Sequence, residues 1–251
     1  MQFPERIISL VPSQTELLYD LGLDREVVGI TKFCVHPEIW FRSKTRIGGT
    51  KTLHLDQIKA LQPDLIIANK EENTREQIEA LQTFTTVYVS DILNIPDALH
   101  MIRSIGTLTG KTKVADKMAE SISTRLNLLK KLNSAPKRVA YLIWKDPFMA
   151  AGKDTFIHDM LKTAGWNNVF EDQARYPETT IEDIRQRYPE VVLLSSEPYP
   201  FGEKHLKELQ AALPETQLLL VDGEMFSWYG SRMLKAADYI AQIISKMNTG
   251  D

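Results

Sequence analysis

The sequence predicts an α/β protein of two lobes, each a mostly parallel sheet covered by helices, with one long helix bridging them. Three observations carry this prediction. Short β-rich runs alternate with amphipathic helical stretches. The alternation is interrupted once, from Lys111 to about Asn133, by a stretch without Gly, Pro or strand signal. A helix, turn and strand pattern in the first half then recurs in the second, offset by 126 residues.

The elements follow in order. Residues 7–11 read as a strand. A helix opens at Ser13-Gln14-Thr15-Glu16 and closes at Gly22, with Ser13 the expected N-cap and Glu16 at the capping-box spacing. Residues 27–31 form a second strand. Residues 55–61 are helical, Pro63 and Asp64 turn the chain, and 65–68 form a strand. A helix at 74–82, a strand at 86–89 and a helix at 96–108 follow. In the uninterrupted stretch, Ala115, Met118, Ile122, Leu126, Leu129 and Leu132 recur three or four apart, the stripe of a single amphipathic helix. At 1.5 Å per residue it reaches roughly 35 Å, about the span of a small domain. Ser134-Ala135-Pro136 stops it, and a strand at 138–144 restarts the rhythm.

The recurring pattern is Leu55-Asp56-Gln57-Ile58-Lys59 with Pro63-Asp64 and an apolar strand. Its counterpart is Ile181-Glu182-Asp183-Ile184-Arg185 with Pro189-Glu190 and an apolar strand at 191–194. The whole set keeps register, which favours a duplicated lobe over two unrelated αβ units with similar turn chemistry. The expected domains are an N-terminal α/β lobe over residues 1–110, a linker helix over 111–134 and a C-terminal α/β lobe over 135–251.

Composition removes several function classes. A chain of 251 residues holds one large domain or two small ones with a real core. Its 43% hydrophobic and 25% charged residues are those of a soluble globular protein. Thirty basic against 33 acidic residues leave a formal charge of -3 and no net basic field for nucleic acid. The single cysteine, Cys34, excludes an internal disulfide framework and Cys-rich zinc or iron–sulfur sites. No run approaches the roughly 18 apolar residues that span a membrane. The opening MQFPERIISLVPS lacks the charged and apolar regions of a signal peptide. The chain is therefore expected either to work in the cytoplasm or to have had an export segment removed.

Gly106-Thr107-Leu108-Thr109-Gly110-Lys111-Thr112 imitates a phosphate loop, but three residues separate its glycines where four are needed, and a helix precedes it instead of a strand. The sequence holds no Gly-x-Ser-x-Gly elbow, His-Glu-x-x-His helix or Gly-x-Gly-x-x-Gly turn. Its histidines are scattered at 36, 54, 100, 158 and 205. With no catalytic constellation in the sequence, an enzyme is disfavoured.

Ligands bind such sheets at the carboxyl ends of the parallel strands. Thr31-Lys32-Phe33-Cys34-Val35-His36-Pro37, after the second strand, offers a thiol and an imidazole, both transition-metal ligands. The competing reading is a buried small cysteine and a hydrogen-bonded histidine. Trp144-Lys145-Asp146-Pro147-Phe148, Tyr176-Pro177 and Asp222-Gly223-Glu224-Met225-Phe226-Ser227-Trp228-Tyr229-Gly230 set aromatics among Pro, Gly and charged residues, where side chains line a mouth. Aromatic planes with a few polar groups suit a large, flat, partly apolar ligand; packed-down lids are the alternative. Asp56 and Glu182, at repeat-equivalent helix starts, either complement helix dipoles or form a pair of acidic knobs for a basic partner.

Three runs carry a family resemblance: Arg6-Ile7-Ile8-Ser9-Leu10-Val11-Pro12-Ser13-Gln14-Thr15-Glu16, Leu55-Asp56 with Pro63-Asp64-Leu65-Ile66, and Pro147-Phe148 with Ala151-Gly152-Lys153. Over nearly its whole length the chain resembles the substrate-binding components of ABC importers for vitamin B12 and ferric siderophores, those with a helical backbone between lobes. The resemblance implies a class III periplasmic binding protein-like fold: two Rossmann-like lobes with parallel sheets joined by one long backbone helix, the ligand between them. It implies that Asp56 and Glu182 dock onto arginines of a membrane permease. It implies a corrinoid, cobalamin or cobinamide, held against Phe33, Phe148 and Tyr176, with Glu224 an acidic ligand contact. Two tryptophans of cobalamin binders are replaced by Thr50 and Asn69, for which Trp144 and Trp228 would compensate. A ferric siderophore or haem is the alternative cargo.

The expected ligand-binding set is Ser13, Lys32, Phe33, Cys34, His36, Trp144, Phe148, Tyr176, Glu224, Phe226, Trp228 and Tyr229. Aromatic and apolar contacts would supply affinity, Lys32, Glu224 and Ser13 orientation, and Cys34 or His36 an approach to the ligand's metal. The chain is expected to be a monomer with no resident cofactor and no membrane span, located in the periplasm or cell envelope if it follows the family. The rival from another class is a cytoplasmic corrinoid or metal-dependent enzyme using Cys34 or His36.

Overall fold

The computed structural model describes residues 2–133 and 135–249, and the chain divides into two units, each built around its own sheet. The first gathers Met1–Ile92, Pro96–Glu120 and Tyr229–Arg232; the second gathers Leu93–Ile95, Ser121–Trp228 and Met233–Asp251.

The first unit runs β1 (Ile7–Ser9), α1 (Pro12–Asp20), β2 (Val27–Ile30), α2 (Glu38–Ser43), β3 (Thr45–Arg46), β4 (Gly48–Gly49), β5 (Thr52–Leu53), α3 (Leu55–Ala60), β6 (Leu65–Asn69), α4 (Arg75–Gln82) and β7 (Thr86–Ser90). Helices α5 (Ile95–Leu108) and α6 (Thr112–Leu132) follow. The sheet order is β3-β2-β1-β6-β7 and every pairing is parallel; β4 and β5 make a separate antiparallel hairpin. β1 and β6 are buried along their whole length, as befits central strands covered on both faces. Ile8, Leu10, Ile47, Ile58, Ile66 and Leu81 form much of the core beside them.

The start of α1 corrects one expectation. Pro12 occupies the first turn and Val11 is the N-cap, with no side-chain cap. Proline's fixed φ and missing N–H suit that position, so the helix begins before Ser13 and needs no capping box. Glu16 instead pairs with Arg232. Gly22 closes the helix at φ +76°, a left-handed conformation that glycine adopts without a steric penalty.

The long helix spans Thr112–Leu132, and the division between the units falls inside it, between Glu120 and Ser121. Its buried stripe is Ala115, Ala119, Ile122, Leu126 and Leu129; Met118 is only partly buried and Leu132 is exposed. The expected stop at Ser134-Ala135-Pro136 includes Ser134, which lies outside the described residues.

The second unit continues with β8 (Arg138–Trp144), β9 (Phe148–Ala150), α7 (Phe156–Thr163), β10 (Asn167–Asn168), β11 (Glu178–Thr179), α8 (Ile181–Gln186), β12 (Val191–Ser195), α9 (Glu203–Ala212), β13 (Gln217–Val221), α10 (Glu224–Ser227) and α11 (Met233–Thr249). Its sheet order is β11-β9-β8-β12-β13, with β10 also on β8. β8, β12, β13 and β10 pair in parallel, whereas β9 and β11 are antiparallel. The second sheet is therefore mixed and not purely parallel. The turn through Asp146, at φ +63°, sends Phe148–Ala150 back along β8, where the sequence had suggested only a loop.

The repeat extends into hydrogen bonding. In the first unit the Asp64 carboxylate accepts from the backbone N–H groups of Glu5 and Arg6, and Arg6 Nε donates to the Leu61 carbonyl. In the second, the Glu190 carboxylate accepts from the Arg138 N–H, and Arg138 Nε donates to the Tyr188 carbonyl. Gln62 and Tyr188, repeat equivalents, share a positive φ of 45° and 48°. Thr85 Oγ1 donates to the Pro63 carbonyl as Thr216 Oγ1 does to that of Pro189. Two unrelated units would have no reason to share so many of these details.

Candidate functional site

In the first unit the β2 loop carries Lys32 and Phe33 into solvent. Phe33 is 51% exposed, its ring lying against Gly49 of the hairpin with Lys32 Nζ 5.1 Å from the ring centroid. A Cβ at Gly49 would sit 3.2 Å from a Phe33 ring carbon, so glycine lets the ring settle there. Cys34 turns the other way. It is fully buried, with Thr15 and Thr31 hydroxyls each 3.1 Å from Sγ, and burial pushes its thiol pKa up. His36 is partly buried, and Ser13 is buried in the first turn of α1.

The turn after β6 is held by two asparagines. Asn69 Oδ1 accepts from the N–H groups of Glu71 and Glu72, and its Nδ2 reaches the Ser90 carbonyl at the end of β7. Asn73 Oδ1 accepts from the Asn69 N–H, and its Nδ2 donates to the Thr50 carbonyl. Thr50 and Asn69, which stand where cobalamin binders were expected to carry tryptophan, are thus buried parts of a polar frame. Gln14 Nε2 reaches Ser90 Oγ in the same layer. Glu72 is partly buried, and burial raises its carboxyl pKa against the opposing pull of Lys51.

In the second unit, Trp144 ends β8 and is 39% exposed, packing edge-on to Tyr199 at 5.7 Å. Tyr199 in turn meets Phe201 and His205, and its hydroxyl lies 3.1 Å from His205 Nε2. At the end of β12, Tyr141 donates to Ser195 Oγ, which donates to the Glu197 carbonyl. The Glu197 carboxylate accepts from Ser227 Oγ at 2.6 Å and from the Trp228 indole N–H at 3.0 Å. Gly223 lets the chain pass here, since a Cβ would collide with Ser195 Oγ and Glu197 Cγ. Burial pushes the Glu197 carboxyl pKa up, the Ser227 hydrogen bond opposes this, and the charge of Glu224 adds to it.

The other expected residues divide. Tyr176 is partly buried beneath the Arg175 guanidinium, 5.5 Å from its ring. Phe148 lies on β9, partly buried against the second unit's core. Glu224 opens α10 and is partly buried. Tyr229 packs against the first unit's core. Phe226 is fully buried among Tyr141, Trp166 and Tyr239, because the single turn of α10 points its third residue inward. Phe226 and Cys34 are therefore core residues here and present no surface to a ligand. Asp56 is exposed in the first turn of α3, and Glu182 is exposed in that of α8, where Arg185 and Gln186 bond it. Among the described residues, no group of three or more His, Cys, Asp and Glu could hold a metal ion.

Sequence reasoning missed Glu197. The repeat held the signal for it. Carried past the strand, the offset of 126 equates Asn69 with Ser195 and Glu71 with Glu197, and both strand ends fold the same way, the Asn69 and Ser195 side chains each accepting the N–H two residues on.

Each unit sets aromatic and acidic side chains at the carboxyl ends of its parallel strands, where α/β sheets hold small ligands. The periplasmic binding protein family matches residues 7–218, and the chain belongs to that family, whose members bind substrates for import and are not enzymes. It is 24% identical over 255 residues to a vitamin B12-binding protein of Pectobacterium carotovorum subsp. carotovorum (strain PC1), covering 98% of this chain and 91% of that protein. The fold is similar to that of the periplasmic vitamin B12 binding protein BtuF of Vibrio cholerae, with a TM-score of 0.81, 23% identity and 98% of both chains covered. It is also similar to the periplasmic heme-binding protein RhuT from Roseiflexus sp. RS-1, with a TM-score of 0.82, 20% identity, and 97% and 98% of the two chains covered. No helix among the described residues is long and apolar enough to cross a membrane.

Proposed function

We propose that this protein is the substrate-binding component of an ABC importer, capturing a corrinoid, cobalamin or cobinamide, and delivering it to a membrane permease. The observation that carries this reading is the similarity to a vitamin B12-binding protein along 98% of the chain. Phe33 in the first unit and Trp144 in the second are each exposed at a strand carboxyl end, and either offers an aromatic face of the kind that suits a flat macrocycle. The protein would act as a monomer in the periplasm or cell envelope, with no cofactor of its own.

Absorbance and calorimetric titration of the purified protein with cobalamin, cobinamide, haem and a ferric siderophore tests the cargo. Sub-micromolar one-to-one corrinoid binding is expected. Binding of haem or siderophore alone reassigns the ligand and keeps the class. Delivery is tested separately: replacing Asp56 and Glu182 together with alanine should leave ligand affinity intact and abolish uptake through the permease. Lost ligand affinity would place the two acids in the binding site instead.

A further inference from the structure

The loop after β12 carries a phenol whose hydrogen bonding is decided by a histidine. Tyr199 Oη lies 3.1 Å from His205 Nε2, and which of the two donates depends on which ring nitrogen holds the hydrogen. The other nitrogen answers this. The Gly202 N–H, at the N-cap of α9, donates to His205 Nδ1 at 3.1 Å. In the neutral imidazole Nδ1 is then the bare acceptor, and Nε2 carries the hydrogen. His205 therefore donates and the Tyr199 oxygen accepts. Conjugation keeps a phenol hydrogen near the ring plane, so with the imidazole on one side of the oxygen the O–H points to the other. Among the described residues, no other hydrogen bond engages that hydroxyl, and its proton is uncommitted.

The hydroxyl belongs to the part of the sheet where a ligand is held. Val139 of β8 pairs with both Asn168 and Val191, and Leu142 with both Ala150 and Leu194. β9 and β10 thus share one edge of β8 and β12 takes the other, so the chain leaves β8 on one side and returns on the opposite one. Such a reversal opens a crevice outside the carboxyl ends of the two strands, the ligand position of open α/β sheets. Trp144 ends β8, and Tyr199 follows β12, its N–H tied back to the Ile143 carbonyl. The two rings meet edge-on at 5.7 Å, Trp144 exposed and Tyr199 half-buried. Phe201 and His205 also pack on Tyr199, with ring centroids 4.8 and 5.3 Å away, and hold the phenol in place. A donor whose direction is set before the ligand arrives loses little freedom on binding.

We propose that Tyr199 is a specificity-determining hydrogen-bond donor, its free O–H meeting an oxygen acceptor on the edge of a planar ligand laid against Trp144. His205 is the positioning residue that keeps Tyr199 a donor. This deepens the carrier reading and rests on it: the carboxamide carbonyls of a corrinoid and the propionates of haem both supply such an acceptor.

Proton–nitrogen NMR of the imidazole at pH 8, above the ordinary imidazole range, reads the tautomer directly. The hydrogen of His205 is expected on Nε2; a hydrogen on Nδ1 overturns the proposal, because Tyr199 would then donate to the imidazole. Calorimetric titration with cobinamide and with haem compares wild type with Tyr199→Phe, which keeps the ring and loses only the hydroxyl, so its circular dichroism should match wild type. Affinity for whichever ligand wild type binds should fall about five- to tenfold, the weight of one hydrogen bond. His205→Ala should weaken binding in the wild-type background and cost nothing further when added to Tyr199→Phe; equal losses in both backgrounds remove its positioning role. Wild type that binds cobinamide, with Tyr199→Phe unchanged, overturns the contact and spares the corrinoid reading. Wild type that binds haem and no cobinamide removes the corrinoid reading; Tyr199 then keeps its role only if Tyr199→Phe weakens haem. Wild type that binds neither overturns both.

Discussion

Arg232 and Glu16, 216 residues apart, form a two-pronged ion pair: Nε donates to Oε2 at 2.7 Å and a terminal nitrogen to Oε1 at 3.0 Å. Both side chains are less than a tenth exposed. The pair ties the short segment Tyr229–Arg232 to α1 within the first unit. Planar guanidinium and carboxylate match each other's geometry, which makes such a contact directional as well as strong.

Removing one partner takes away the opposite charge that each buried group faces in this pair. Glu16→Ala or Arg232→Ala should each destabilise the protein by about 3–5 kcal/mol, and the double variant should cost less than the two singles summed. Urea denaturation measures this. Single variants with the wild-type midpoint would show that the pair contributes nothing net.

Glu197 sets a pH dependence. Its folded-state pKa lies above the ordinary 4.5, chiefly through burial. The native state therefore keeps this proton to higher pH than the unfolded chain does. The resulting stability is complete below the unfolded value and is lost as pH rises through the folded one. Melting temperatures of Glu197→Gln should gain on wild type over that window and then run parallel above it. Curves parallel throughout would mean that the carboxyl is not shifted.

Cys34 should be chemically silent. A buried thiol with a raised pKa presents almost no thiolate at neutral pH. Alkylation in native buffer should run at least about a hundredfold slower than in denaturant, because it must wait for local opening. Rapid native labelling, followed by mass spectrometry, would show that the β2 loop opens readily and would revive the thiol as a ligand contact.

The two second-unit tryptophans bear on the corrinoid reading. Trp144→Ala and Trp228→Ala should each weaken corrinoid binding by about tenfold or more, the loss typical of a large aromatic anchor. Far-UV circular dichroism should be unchanged. Unaltered calorimetric affinity in both variants would count against aromatic capture by this unit.

Much of the fold could be read from local chemistry. Strand β8 falls at residues 138–144 as expected, and the long helix, Thr112–Leu132, ends within two residues of its expected limits. The repeat set out α3 with β6 and α8 with β12, down to the shared offset. Each of these signals lies within a few positions along the chain, where apolar periodicity and turn residues act directly. The site was less legible. Phe226 and Trp228 stand two residues apart in one aromatic run, yet the first is core and the second hydrogen-bonds Glu197. Composition cannot separate them, because the turn of α10 decides which one points inward.

Sequence by itself determined the alternation of strands and helices, the duplicated unit, the long helix and the acidic first turns at Asp56 and Glu182, because those depend on propensities and periods within a short window. Tertiary structure alone decided that Glu16 answers Arg232 instead of capping its helix, that Cys34 is sealed beneath two threonines, and that Glu197 is engaged by Ser227 and Trp228. Burial and pairing depend on residues brought together from distant parts of the chain, and no local pattern encodes which carboxylate will meet a donor.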